Sequence, residues 1–353
     1  MNKRLVLIIS VIILLAIPAS LMLASGDLFP EEEEPYYVAV IGDLPSAHTT
    51  YVSRSVAGVQ EATRNAKNIT PEMFISPTSD DDDIGKVIDE ACDLHYSLIF
   101  GPGFNCVASI IKGAQRHPET KFLTIDAGNS EFTENLADIQ FRDQESSMIA
   151  GYVAGMTSKS HIIGFLGGSN NPTIQKFYYG FLAGTKLASR EKMTEIKVID
   201  LYANSYLDVD KGYTLTKKMY EDGADIVFTV AGDTGLGGIK AAKELDKYVI
   251  GVDVDQNYLA PNNVIFSVVK KIQTVVASVL KGYSEGKYSG TGIILVGYSD
   301  DALDVVSYTD AISGDVIEKA DKLKGFIKNG VFAVPSTPDE YAAWSVFMVP
   351  NFI

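Results

Sequence analysis

The chain has 353 residues, of which 46 % are hydrophobic and 21 % charged, and its formal net charge is −15. That length predicts two core-bearing lobes, and the composition excludes a disordered chain. The negative charge excludes a nucleic-acid partner, whose phosphates it would repel.

Lys3 and Arg4 precede the apolar run LVLIISVIILLAIPASLMLAS, which leaves through the small residues Ala24, Ser25 and Gly26. This pattern predicts residues 1–26 as a secretory signal. The run is also close to the ~20 residues a membrane helix needs, so an uncleaved N-terminal membrane anchor is the alternative. Neither cysteine lies near the segment, so thioether lipidation there is not expected. Under either reading the body is extracytoplasmic, secreted or anchored at the outer face of the cell membrane. Residues 27–36, with four successive glutamates before Pro35, read as an acidic linker.

From residue 37 onward, strands and helices alternate. YYVAVIG reads as a strand, and TTYVSRSVAGVQEATRNA as a helix through Val52, Val56, Val59 and Ala62. MFISP is a strand, DIGKVIDEACDLH a helix, YSLIFGPG a strand with a glycine-rich exit, NCVASIIKGAQRH a helix and KFLTIDAGN a strand. Strands that are apolar throughout, alternating with helices, predict a parallel sheet covered on both faces.

The pattern then repeats. HIIGFLGGSNNP, EIKVIDLYAN, ADIVFTVAGDTG and KYVIGVDVDQ read as strands, separated by helices in IQKFYYGFLAGTKLA, GYTLTKKMYEDG and GLGGIKAAKEL. SLIFGPGFN aligns with DIVFTVAGDTG, and FLTIDAGN with YVIGVDVDQ, which reads as an internal duplication. IFSVVKKIQTVVASVLKGY adds a strand and a helix, and VIEKADKLKGFIKNGVFAVP a helix with an end-strand. These late elements predict that the chain recrosses the hinge, making both lobes discontinuous. The first lobe takes residues 37–143 plus about 271–300, and the second takes residues 144–270 plus about 301–335. The apolar tail 336–353 holds the only tryptophan; it packs on the second lobe or touches the membrane or a partner. Cys92 and Cys106 both fall in predicted helices of the first lobe, as a disulfide or as two small buried hydrophobes.

Ligands of open parallel sheets bind beyond the carboxyl ends of the strands. Asp126 and Asp253 end matching strands of the two lobes, and Gly101, Gly103, Gly232 and Gly235 let backbone approach a ligand there. An acid after a strand is often only a helix cap, but a matched pair favours a site. Asp253 and Asp255 invite a calcium-dependent hydrolase reading. Only Val254 separates them, however, and the four histidines are scattered, so no catalytic residue, metal or cofactor is expected. No Lys-Ser/Thr phosphate loop occurs, so the chain is not an ATPase.

DQESSMIAGYVAGMTSK, IGFLGGSNNPTIQKFYYGFLAG, YANSYLDVDKGYTLTKKMYEDGADIVFTVAGDTGLG, VIGVDVDQNYLAP, SVVKKIQTVV and KNGVFAVP follow one another through the chain. With these stretches, residues 37 to about 335 resemble the basic membrane protein family of ABC-transporter substrate-binding proteins, of the purine nucleoside receptor type. The resemblance implies an α/β, type I periplasmic-binding fold: two doubly wound parallel-sheet lobes, three hinge crossings and a ligand clamped between them. It implies a small-molecule ligand, most directly a purine nucleoside, and two protein partners, a membrane permease and a separate ATPase subunit.

The resemblance also assigns residues. Phe177 matches a ring that stacks on the base, although its helical spacing beside Phe181 also fits a core position. Asp253 matches an acid that accepts from the ribose diol, Gly232 a glycine whose backbone reaches the sugar, and Asp126 the acid of the first lobe. Lys270 matches a lysine near the cleft. In GDLPSAHTTYVSR the family aspartate is retained as Asp43, and Tyr51 stands for a stacking phenylalanine. The loop is about one residue shorter than the family pattern; an asparagine position falls on Val52 and an acid position near His48, so His48 or Thr49 is the substitute to consider. The alternatives are therefore a free base, a pentose or another sugar, or a ligand-sensing ectodomain of the same architecture.

Overall fold

The computed structural model describes residues 34–128, 133–288 and 291–350. The expected signal or anchor, most of the acidic linker and residues 351–353 of the tail lie outside the described residues.

The first run of elements is β1 (Tyr36–Asp43), α1 (Thr50–Asn65), β2 (Ile69–Ser76), α2 (Asp81–Asp93), β3 (Leu98–Gly101), α3 (Val107–Arg116), β4 (Lys121–Ile125) and β5 (Leu136–Phe141). Helix α4 (Asp143–Thr157) leads to β6 (Ile162–Gly167), α5 (Pro172–Lys192), β7 (Lys197–Tyr202), α6 (Val209–Glu221), β8 (Ile226–Val230), α7 (Thr234–Leu245), β9 (Tyr248–Asp253) and β10 (Val264–Lys270). The chain closes with α8 (Ile272–Ser284), β11 (Gly292–Val296), β12 (Leu303–Val306), α9 (Gly314–Lys328) and α10 (Pro338–Ala343). Polar caps open several helices: the Thr49, Asp80, Asn171, Asp208 and Ser313 side chains each accept from a first-turn backbone N–H.

Two six-stranded sheets result, in the orders β2-β1-β3-β4-β5-β11 and β7-β6-β8-β9-β10-β12. Position for position the two orders are the same, as an internal duplication requires. All pairs are parallel except β12, which runs antiparallel to β10. The strands read as continuous apolar runs because helices cover both faces; Val38, Ala39, Val40 and Ile41 of β1 are all fully buried. The chain passes between the sheets after β5, after β10 and between β11 and β12, which are the three expected crossings.

Helix α4, at the first crossing, packs on α5 with almost no space between backbones. A Cβ on Gly184 would stand 1.9 Å from the Met148 carbonyl oxygen, and one on Gly151 would stand 2.0 Å from that of Phe181. Helix α8 packs on α1 of the first sheet.

The structure adds β5, α4, β11 and β12 to the expected elements and removes one expected strand. Residues 331–334 form no strand: after the left-handed Gly330 the chain runs over the surface and buries Val334 without sheet pairing. The described tail then packs on the second lobe. Tyr341 meets the Tyr179 ring at 5.8 Å, the Lys186 ammonium lies over Tyr341 and Trp344, and Arg190 lies over Phe347. Cys92 and Cys106 are free, buried thiols, and burial pushes them up to about 11 and about 12. Cys106 lies in a short 3-10 turn (Phe104–Cys106) before α3, with its Sγ bonded to the Gly103 carbonyl.

Candidate functional site

The strand ends of both sheets converge on a cleft of about 850 Å³, partly open to solvent. Its wall includes Tyr51, Phe177, Gly232, Asp253 and Lys270. Asp126 contacts two of these, whereas Asp43 is held by groups of its own lobe.

Asp126 and Asp253 share one unusual conformation. Each ends its strand in the left-handed region, with φ of +54° and +66°. Such a backbone is uncommon outside glycine but is tolerated by aspartate, and it turns the chain sharply at the strand end. Neither residue caps a helix: Asp126 opens the loop to β5, and Asp253 opens a turn toward a short 3-10 segment.

Lys270 joins them. Register sets Asp253 opposite Val269, one residue before Lys270. The Lys270 ammonium donates to Asp126 Oδ2 and lies 3.0 Å from Asp143 Oδ1. It also lies over the rings of Phe177 and Phe141, at 4.9 and 5.0 Å. Tyr51 Oη donates to the same Asp126 oxygen at 2.8 Å, and Thr173 Oγ1 donates to the Asp126 carbonyl at 3.1 Å.

Burial governs the electrostatics. It works against the Lys270 ammonium, but Asp126, Asp143 and Asp253 outweigh it and hold the pKa above the ordinary lysine value. Burial pushes the Asp143 carboxyl up, with Lys270 opposing. Burial also raises Asp253 to about 6, again against Lys270 and with Asp126 adding to the rise. The Tyr51 hydroxyl is raised well above its usual value by burial and by Asp126. No described residue donates a hydrogen bond to the Asp253 carboxylate, which faces the cleft. Asp255, two residues on, accepts from Ser307 Oγ and the Asn257 amide, so it shapes the turn.

Asp43 is 1 % exposed. Its carboxylate accepts from Ser46 (backbone N–H and hydroxyl), from Ser79 Oγ at 2.6 Å and from Asn105 Nδ2 at 3.4 Å. His48 is exposed and outside the wall, whereas Thr49 and Val52 line it. The Thr49 hydroxyl caps α1 and donates to the Ser46 carbonyl. Phe177 is 2 % exposed, with its ring held between Lys270 and Phe228, so both a core role and a place in the wall describe it.

Among the wall residues that were not anticipated are Phe104, Asn105, Tyr206 and Asp233. Phe104 stacks on Tyr206 and lies 5.7 Å from the Tyr51 ring. The Tyr206 hydroxyl bonds Ser169 and Asn171 at 2.9 Å each. Asp233, beside the left-handed Gly232, accepts from the Thr50 backbone N–H of the facing lobe, and burial raises its carboxyl. The signal for Phe104, Asn105 and Asp233 was the glycine-rich exit itself, because residues just after such an exit border the cleft in both repeats; Tyr206 follows no such exit.

The family model for ABC transporter substrate-binding protein PnrA-like matches residues 36–338. The chain belongs to this family. Basic membrane protein D of Borreliella burgdorferi (strain JD1) is 38 % identical over 250 residues, 69 % of this chain and 72 % of that protein. The CD4+ T-cell-stimulating antigen of Listeria monocytogenes serovar 1/2a is 32 % identical over 259 residues, covering 69 % and 71 %. Among solved structures, an ABC transporter solute-binding protein from Aeropyrum pernix K1 superimposes with a TM-score of 0.74 at 22 % identity, covering 88 % of this chain and 96 % of that one. The Lac repressor superimposes at 0.54 and 13 % identity, covering 82 % of this chain and 84 % of that one. The fold of this ABC-transporter solute-binding protein is therefore the type I periplasmic-binding fold. It is a binding protein rather than an enzyme, and its partners are a solute and a transporter. Among the described residues no helix is long and apolar enough to cross a membrane.

Proposed function

We propose that this solute-binding protein captures a purine nucleoside outside the cytoplasm and hands it to a membrane permease driven by a separate ATPase. The observation that carries the reading is a cleft that combines two kinds of group. The Asp253 carboxylate, with no described side-chain donor, and the Lys270–Asp126 pair stand in the same cleft as the rings of Tyr51, Phe104 and Tyr206, and Tyr51 bridges the two sets through its hydroxyl on Asp126. A carboxylate accepts from two vicinal hydroxyls at once, which suits a ribose, and flat rings suit a base.

In this reading Asp253 grips the diol, the Gly232 backbone and Lys270 border the sugar, and Asp126 orients Lys270 and Tyr51. Phe177 floors the cleft under Lys270. Asp43 acts from behind the wall by holding Ser46, Ser79 and Asn105. The lobes are taken as 37–143 with about 271–300 and 144–270 with about 301–335, and residues 1–26 as the export signal or anchor.

A thermal-shift panel of nucleosides, free bases and sugars tests this, since a tight ligand stabilises by mass action. The largest shift is expected with a purine nucleoside. A shift with a pentose or another small molecule, and none with any nucleoside, overturns the assignment.

A further inference from the structure

Asn105 sits in the turn between Phe104 and Cys106, with its side chain in the cleft wall. Its amide nitrogen lies 3.4 Å from Asp43 Oδ2 and 3.5 Å from Ser79 Oγ. Both contacts are long, but they decide the orientation. A carboxylate only accepts, so turning the amide over would set two oxygens against each other. Asp43 is itself fixed by Ser46 and Ser79, which makes it a rigid anchor for that nitrogen. No described residue donates to the Asn105 carbonyl oxygen.

The amide also stands beside the rings. Phe104, one residue earlier, lies flat on Tyr206 and next to Tyr51. Asn105 follows Phe104 in the same turn, so its amide stands next to the place where a planar group on those rings would lie. Across the loop, the position that carries an asparagine in the family pattern is Val52, whose methyl groups can neither donate nor accept.

We infer that Asn105 is the specificity-determining residue for the base: its carbonyl oxygen accepts an N–H from the base edge, and Asp43 keeps that oxygen turned toward the cleft. The inference rests on the nucleoside reading and deepens it. The ligand class it selects is a nucleoside whose base carries a donor on that edge, such as the ring N–H of hypoxanthine or guanine or the amino group of adenine. A base without such a donor leaves the carbonyl buried and unpaired, which is the costly case for a polar group.

The test compares inosine with purine riboside, which keeps the ring system and the ribose but lacks every donor on that edge. Calorimetry on the full chain is expected to show inosine binding about tenfold tighter or more, the range for leaving one buried acceptor unsatisfied. Asn105→Ala is expected to bring the two ligands within about twofold of each other. Asp253→Ala, acting at the sugar, is expected to weaken both while preserving their ratio. Equal binding of the two ligands by the parent protein overturns the inference and needs no variant. A tenfold preference that survives Asn105→Ala also overturns it. Failure of every nucleoside to bind the parent protein overturns the nucleoside reading itself, and is distinguished because it appears before either comparison is made.

Discussion

The ring of Phe104 lies flat on that of Tyr206, with centroids 4.8 Å apart and planes 6° apart. Phe104 follows β3 of the first lobe and Tyr206 follows β7 of the second, so this stack spans the cleft. It is reinforced nearby where Asp233 of the second lobe takes the Thr50 N–H at the start of α1 in the first. The contact therefore joins the two lobes across the cleft.

If these rings hold the base, Tyr206→Ala and Phe104→Ala each weaken inosine. Base–aromatic stacking is worth about 1–3 kcal/mol by alanine substitution, so a loss of about tenfold or more is expected from each. Tyr206→Phe keeps the ring and removes only the hydroxyl contacts to Ser169 and Asn171, so a much smaller loss is expected. Calorimetric titration of the three variants decides; inosine affinity unchanged in both alanine variants would place the base elsewhere.

Lys270 is 5 % exposed and sits between two buried acids, Asp126 and Asp143. Removing one partner of such a cluster leaves buried charge uncompensated, at about 3–5 kcal/mol. Lys270→Met should therefore lower the urea midpoint clearly at neutral pH. Adding Asp126→Asn should recover part of that loss, because it removes one of the stranded acids. A single variant with the parent's midpoint would show that these acids do not depend on the ammonium.

Most of the fold was legible because the strands are buried on both faces and so stand out as apolar runs between amphipathic helices. The matched acids Asp126 and Asp253 were legible through the repeat. The ring stack was not. Asn105 was read into a helix that begins only at Val107, Phe104 fell between the expected strand and that helix, and Tyr206 lies in a loop where no periodicity marks it. The environment of Asp43 was equally hidden, since Ser79 and Asn105 reach it from distant parts of the chain. The apolar VFAV run suggested a strand. In the structure Val334 is buried off the sheets, so its hydrophobicity reported burial but not pairing.

Asp253 connects binding to pH. Burial raises its carboxyl to about 6, above the ordinary aspartate value of 3.8. Between those values the folded chain holds a proton that the unfolded chain has released, so this group's contribution to stability falls as pH rises from about 4 to about 6. Asp253→Asn, which cannot ionise, should therefore raise the melting temperature at about pH 7.5 and change it little near pH 4. In the nucleoside reading, ligand binding runs the other way, because a diol held by Asp253 needs the ionised acceptor. The parent's affinity for inosine should drop about tenfold between pH 7 and pH 5, as one proton is taken up at a site titrating near 6. The Asn variant should bind more weakly at pH 7 and lose this dependence. Calorimetry across that range checks both, and an affinity in the parent that does not change with pH would remove Asp253 from the ligand's grip.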